Sequence, residues 1–79
     1  MDKGNVKKIS ELKAGDRGVI KKMLVEDPLG LRLQELGVLP GTEIEVVRHA
    51  PLGGSIEIRC KGGLLLLGDE EASMIEINI

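Results

Sequence analysis

The chain contains no Phe, Tyr or Trp, a single cysteine (Cys60), only three prolines and no excess of charge of one sign. Each scarcity removes a class of function. Proteins that grip single-stranded nucleic acid stack bases on aromatic rings, and grooves that take Pro-rich peptides are lined with aromatics, so neither surface is available here. Charge agrees: Lys and Arg total 11 against 13 Asp and Glu, for a net −2. Lys7-Lys8 and Lys21-Lys22 are short pairs read as solvated strand edges rather than a DNA footprint, and no nucleic-acid partner is expected. One cysteine cannot close an internal disulfide, and Met1 to Asn5 offers no apolar stretch for a signal peptide, so a cytoplasmic, reducing location is expected. The longest apolar run, Leu64 to Leu67, is far too short to cross a bilayer, and no direct membrane insertion is expected.

What is present is aliphatic. Twelve Leu, eight Ile and six Val in 79 residues supply one core and argue against disorder. A chain of this size buries only roughly 60% of the surface its unfolded form exposes, so a single domain over residues 1–79 is expected, without a deep enclosed active site. Residues 1–7 are expected to be disordered ahead of it.

Turn signals recur along the chain and predict a mostly β domain. Lys13-Ala14-Gly15-Asp16 reads as a turn, and Arg17 to Val25 as the first long strand. Ile20, Met23 and Leu24 cannot share one face across Lys21-Lys22, so a bulge is expected there. Asp27-Pro28 reads as a helix start, with the carboxylate as cap and proline at the first helical position, and Leu29, Leu33 and Leu36 recur at helical spacing. Gly37 follows as a left-handed terminator, Val38 can pack back on the helix, and Pro40-Gly41 makes a tight turn.

Two strands then form a hairpin. In Thr42 to Arg48, Ile44 and Val46 point inward, and Ile56, Ile58 and Cys60 alternate with Glu57, Arg59 and Lys61. Glu45 and Arg59 fall on the outer face as a cross-strand pair of opposite charge. Lys61-Gly62-Gly63 turns into a Leu64–Leu67 strand that is apolar on both faces, and one of those faces must lie against the helix, the sheet interior or another molecule. Asp69 to Ala72 reads as a short turn or helical turn, and Ile75, Ile77 and Ile79 line a last strand. The total is about five strands and one helix over about residues 28–36.

No motif of catalysis emerges. There is no phosphate-binding loop or dinucleotide fingerprint, and nothing local activates His49, Cys60 or a serine as a nucleophile, so no enzymatic activity, catalytic residue or cofactor is expected. No metal site is expected either. With residues 50–54 as hairpin loop, His49 pairs near residue 55 and Cys60 lies about 17 Å further along its strand, beyond reach of a shared ion. Cys60 reads as a small core residue, His49 as a strand-end group beside solvent, and Asp69-Glu70-Glu71 as a solvated surface turn.

One feature is left over. Leu31 lies about 200° around the helix from Leu29 and cannot join the Leu29/Leu33/Leu36 stripe, and Leu39 sits in the loop beside it. These leucines with Arg32 and Glu35 form a candidate docking patch, unless the end of the sheet covers them.

The run Leu33-Gln-Glu-Leu-Gly-Val-Leu-Pro-Gly-Thr42, then Glu45-Val-Val-Arg-His-Ala-Pro-Leu-Gly53, Ile56-Glu-Ile58 and the late Glu71-Ala72 with Ile75 resembles the ferrous-iron transport protein A (FeoA) family. The likeness extends from Ile9 to Ile77. It implies an SH3-like barrel and a small cytoplasmic accessory protein of ferrous-iron uptake. The implied partner is the cytosolic GTP-binding domain of the membrane ferrous-iron transporter, with Leu31, Arg32, Glu35 and Leu39 as the expected contact. Related domains close iron-dependent transcriptional repressors, so a regulatory domain is one alternative, and a direct Fe²⁺ carrier is another. Exposed strand edges also permit a weak homo-oligomer.

Overall fold

The structure, a computed structural model, describes residues 5–79. Residues 1–4 of the stretch expected to be disordered lie outside the described residues. Val6 and Lys7 are strand instead, in β1 (Val6–Lys8). A 3₁₀ turn (Ile9–Glu11) leads to β2 (Arg17–Met23), α1 (Leu29–Glu35), β3 (Glu43–His49), β4 (Ser55–Cys60), β5 (Gly63–Gly68), a one-turn helix α2 (Asp69–Ala72) and β6 (Ile75–Asn78).

All pairings are antiparallel in one sheet of order β1-β6-β2-β3-β4-β5. The sheet is open, with β1 and β5 as its two edges, so the expected closed barrel of about five strands becomes an open sheet of six. The added strand is β1. Three residues, two of them lysines, carry no alternation to read, and their pairing with β6 joins opposite ends of the chain.

Two bulges set which side chains reach the core. In β2 the register slips at Lys21, between Ile20↔Ile77 and Lys22↔Glu76, where the broken alternation of the sequence required it. A second slip, between Val46↔Ile58 and Arg48↔Glu57, leaves Val47 as the extra residue of β3. Beyond that slip His49 stands opposite the inward-facing Ile56.

The core is one apolar cluster. Ile20, Ile44, Val46, Ile56, Ile58, Leu67, Ile75 and Ile77 come from the strands, and Ile9, Leu12, Leu33, Val38 and Ala72 close over them. No charged or polar side chain is buried among the described residues. Burial on this scale stabilises by about 1.5–3 kcal/mol for each large aliphatic side chain, set against a similar total of lost chain entropy.

Helix α1 is shorter at both ends than the sequence stripe implies. Pro28 occupies the cap position, and the Gly30 amide donates to the Glu26 carbonyl (3.0 Å) where an Asp27 carboxylate cap was expected. At the other end Leu36 leaves the helix and is exposed, so it does not complete the Leu29/Leu33 stripe. Gly37, at φ 98°, reverses the chain as expected, the Gly37 amide donating to Gln34 O (3.0 Å) and the Val38 amide to Leu33 O (2.9 Å). This is a Schellman cap, and its apolar contact places buried Val38 where Leu36 was expected. Leu39 to Thr42 then closes the Pro40-Gly41 turn through Thr42 N to Leu39 O at 3.1 Å.

Candidate functional site

Gly30 and Leu33 are the buried residues of α1, Leu33 in the apolar core and Gly30 against the loop that follows β2. Gly30 is required there, because a Cβ would stand 2.8 Å from the Val25 carbonyl oxygen. With that face committed, helical geometry sends Leu31 about 160° away from Leu33, with Glu35 one turn further along the same side. Leu31 is 52% exposed and Leu39 38%, while Arg32 and Glu35 are exposed between them. The sheet therefore does not cover the two leucines. Leu36, which the sequence stripe had assigned to the core, adds a third exposed leucine to the same segment.

The C-terminus of α1 rests on the β4–β5 turn. The Cys60 thiol lies 3.7 Å from Leu36 O and 3.5 Å from Gly63 O, half-buried against the core and close to the expected small-core role. Two residues after Leu39 begins an open cleft of about 560 Å³ bordered by Arg17, Thr42, Glu43, Glu45, Arg59 and Lys61. Its charges are partly matched across the sheet: Glu45 stands opposite both Arg17 and Arg59, with Arg59 Nε 3.7 Å from Glu45 Oε1. The cleft that begins at Gly41 thus presents charges of both signs.

The remaining candidates are explained by local structure. His49 Nε2 donates to Leu12 O at 2.6 Å, tying the end of β3 to the segment after the 3₁₀ turn. The Val47 bulge sets His49 in that phase, and the ring stays exposed at the strand end as expected, with the bond to Leu12 added. His49 opposite Ile56 and Cys60 four residues on are separated by about 13 Å of strand, so the two do not converge. Among the described residues no three His, Cys, Asp or Glu side chains are grouped to hold a metal ion. In the acidic turn, Asp69 Oδ2 accepts from the Gly54 amide (2.9 Å) and Glu71 Oε1 from the Gly68 amide (2.8 Å). Two of these three carboxylates therefore cap backbone where a merely solvated turn was expected.

Sequence reasoning left one surface undecided. Leu65 and Leu67 of β5 face the core, whereas Leu64 and Leu66 stand on the outer face and are exposed. Simple alternation within the four-leucine run carries that split once the inner face is known.

The FeoA domain family matches residues 7–79. The fold is similar to that of the FeoA protein of Chlorobium tepidum, with 43% identity and a TM-score of 0.87 over 91% of this chain and 69% of that one. It is similar also to an iron uptake regulatory protein (FeoA), with 27% identity and a TM-score of 0.82 over 94% of this chain and 97% of that one. A manganese-dependent transcriptional repressor shares the fold at 19% identity and a TM-score of 0.82, over 99% of this chain and 44% of the repressor.

Proposed function

This chain belongs to the FeoA family, and on that premise we propose that it is a non-enzymatic cytoplasmic accessory protein of ferrous-iron uptake. It acts by docking on the cytosolic GTP-binding domain of the membrane ferrous-iron transporter. Leu31 and Leu39 are the apolar anchors, and Arg32 and Glu35 set orientation.

The observation that carries the docking reading is the exposure of Leu31 on α1 and of Leu39 in the turn after it, while Gly30 and Leu33 of the helix are buried. Covering the exposed area of the two leucines contributes on the order of 2 kcal/mol. Flanking charges of both signs favour one approach over others and add little to affinity. The repressor likeness, at 19% identity, is a likeness of fold and gives the regulatory alternative no residue to stand on. A carrier of Fe²⁺ would need ligands brought together, and His49 and Cys60 are held apart by the hairpin.

Titration of the isotopically labelled chain with the transporter's cytosolic domain tests this reading. Amide shifts are expected to concentrate in residues 29–39, and a folded Leu31→Glu, Leu39→Glu variant is expected to bind at least about tenfold more weakly. Unchanged binding by that variant refutes the assigned residues. Silence toward the domain, with saturable shifts around His49 or Cys60 on adding Fe²⁺ under anaerobic conditions, refutes docking in favour of the carrier.

A further inference from the structure

The two edges of the sheet are built differently. Edge strand β1 is three residues long and carries Lys7 and Lys8, a short charged edge of the kind that resists further pairing. Edge strand β5 is Gly-Leu-Leu-Leu-Leu-Gly, twice as long and without a charge, and among the described residues no strand pairs with its outer side. Leu64 and Leu66 on its outer face are 57% and 66% exposed.

The phase of the β4–β5 ladder decides which backbone groups are open. Asp69 N donates to Gly54 O at 3.1 Å, which marks residues 54 and 69 as a hydrogen-bonded pair. Alternation along the register then makes Ile56–Leu67, Ile58–Leu65 and Cys60–Gly63 the other such pairs. The N–H and C=O groups of Leu64 and Leu66 consequently point away from β4, toward open solvent. The Gly68 amide, which shares their phase, is already taken by Glu71 Oε1. The unpaired section of the edge is thus centred on Leu65.

We propose that β5 pairs antiparallel with β5 of a second copy of this chain, about a two-fold axis through Leu65. That register sets Leu64 opposite the partner's Leu66 and Leu66 opposite the partner's Leu64, both as hydrogen-bonded pairs that satisfy all four open groups of each chain. It keeps outer leucines against outer leucines, since directly opposed residues lie on one face. Shifting by two residues would pair Leu64 with the partner's Gly68, whose amide is occupied. On the outer face Glu57 stands beside Leu66 and Arg59 beside Leu64. The row across the interface therefore reads Glu57, Leu66, the partner's Leu64, the partner's Arg59, with opposite signs flanking the leucines. A net charge of −2 per chain adds little repulsion. Such an interface is isologous and closes at two copies, which separates it from open-ended aggregation.

Sedimentation of the intact chain over a wide concentration range is expected to show a species of twice the 8.5 kDa chain mass, with the amides of Leu64 and Leu66 slowing in hydrogen exchange as it forms. Leu66→Lys places a charge in the centre of the pair and is expected to weaken the dimer at least about tenfold. Leu66→Pro removes an outward N–H that β4 does not use, and is expected to abolish pairing with the β4 ladder intact. If either variant fails to fold, Leu65→Cys in a Cys60→Ser background decides. The two Leu65 positions form a non-hydrogen-bonded pair with Cα atoms about 4.5 Å apart, within disulfide reach, so mild oxidation is expected to give a covalent dimer. A single chain mass at every concentration, a dimer that survives both Leu66 substitutions, or a folded Leu65→Cys variant that does not cross-link would overturn the proposal.

Discussion

Gly18 lies buried in β2 opposite Ile44, with β6 on its other side, and a Cβ there would collide with Ile77 Cγ2 and come within 2.7 Å of the Asn78 carbonyl oxygen. Neither neighbour is a flexible side-chain end, so the strands themselves must shift. Gly18→Ala is expected to destabilise by about 1–3 kcal/mol through overpacking, a fall in Tm of about 5–20 °C for a domain of this size. Thermal unfolding followed by circular dichroism checks it. His49 is a milder case. Its single bond to Leu12 O ties the end of β3 to the segment after the 3₁₀ turn, and His49→Ala is expected to cost about 1 kcal/mol. Nothing in the residue's sequence context announced that bond, because the Val47 bulge that aims the ring is a property of strand pairing.

The helix with its terminating turn is the element on which the docking proposal rests, and its two faces make opposite predictions. Gly37 must hold φ 98° for the Schellman bonds, and the nearest atoms to an added Cβ are Gly62 N at 3.6 Å and Cys60 Sγ at 3.9 Å, which are ordinary contacts. The cost of Gly37→Ala is therefore conformational, about 1–2 kcal/mol, and is read from urea midpoints at unchanged m-value. Leu31→Glu and Leu39→Glu replace exposed side chains and are expected to move stability by no more than about 0.5 kcal/mol each while weakening binding. A large stability loss in those variants would mean that the leucines serve the fold. The Gly37 signal and the Val38 contact could be read directly, whereas the misassigned Leu36 could not. A periodic stripe does not reveal at which residue the chain leaves the helix.

At the scale of the molecule, β1 and β6 join the two ends of the chain. Val6↔Asn78, Lys7↔Ile77 and Lys8↔Glu76 are the registered pairs, and the Ile79 amide donates to Asn5 O at 2.9 Å. Deleting residues 1–8 turns β6, with its buried Ile75 and Ile77, into a sheet edge. The expected result is a loss of about 2 kcal/mol, from two to three backbone hydrogen bonds worth about 1 kcal/mol each. Greater concentration-dependent association is also expected, because the lysine-bearing edge has been replaced by an unguarded one. Unfolding midpoints and light scattering of the truncated chain measure both effects.

The inward residues of the β3–β4 hairpin, the bulge at Lys21, the Gly37 terminator and the acidic helical turn were all legible because their causes are local. Alternation, turn chemistry and left-handed glycine act over a few residues. The exposure of Leu31 was legible in the same way, as a leucine that no helical stripe could absorb. Only the tertiary structure decided that the sheet stays open with six strands, that Leu36 is exposed and Val38 buried, and that the exposed His49 bonds the Leu12 carbonyl. It alone decided which backbone groups of the four-leucine strand face solvent. These outcomes depend on which strand lies beside which and in what register, and such pairings form between residues far apart in the chain, where no local pattern records them.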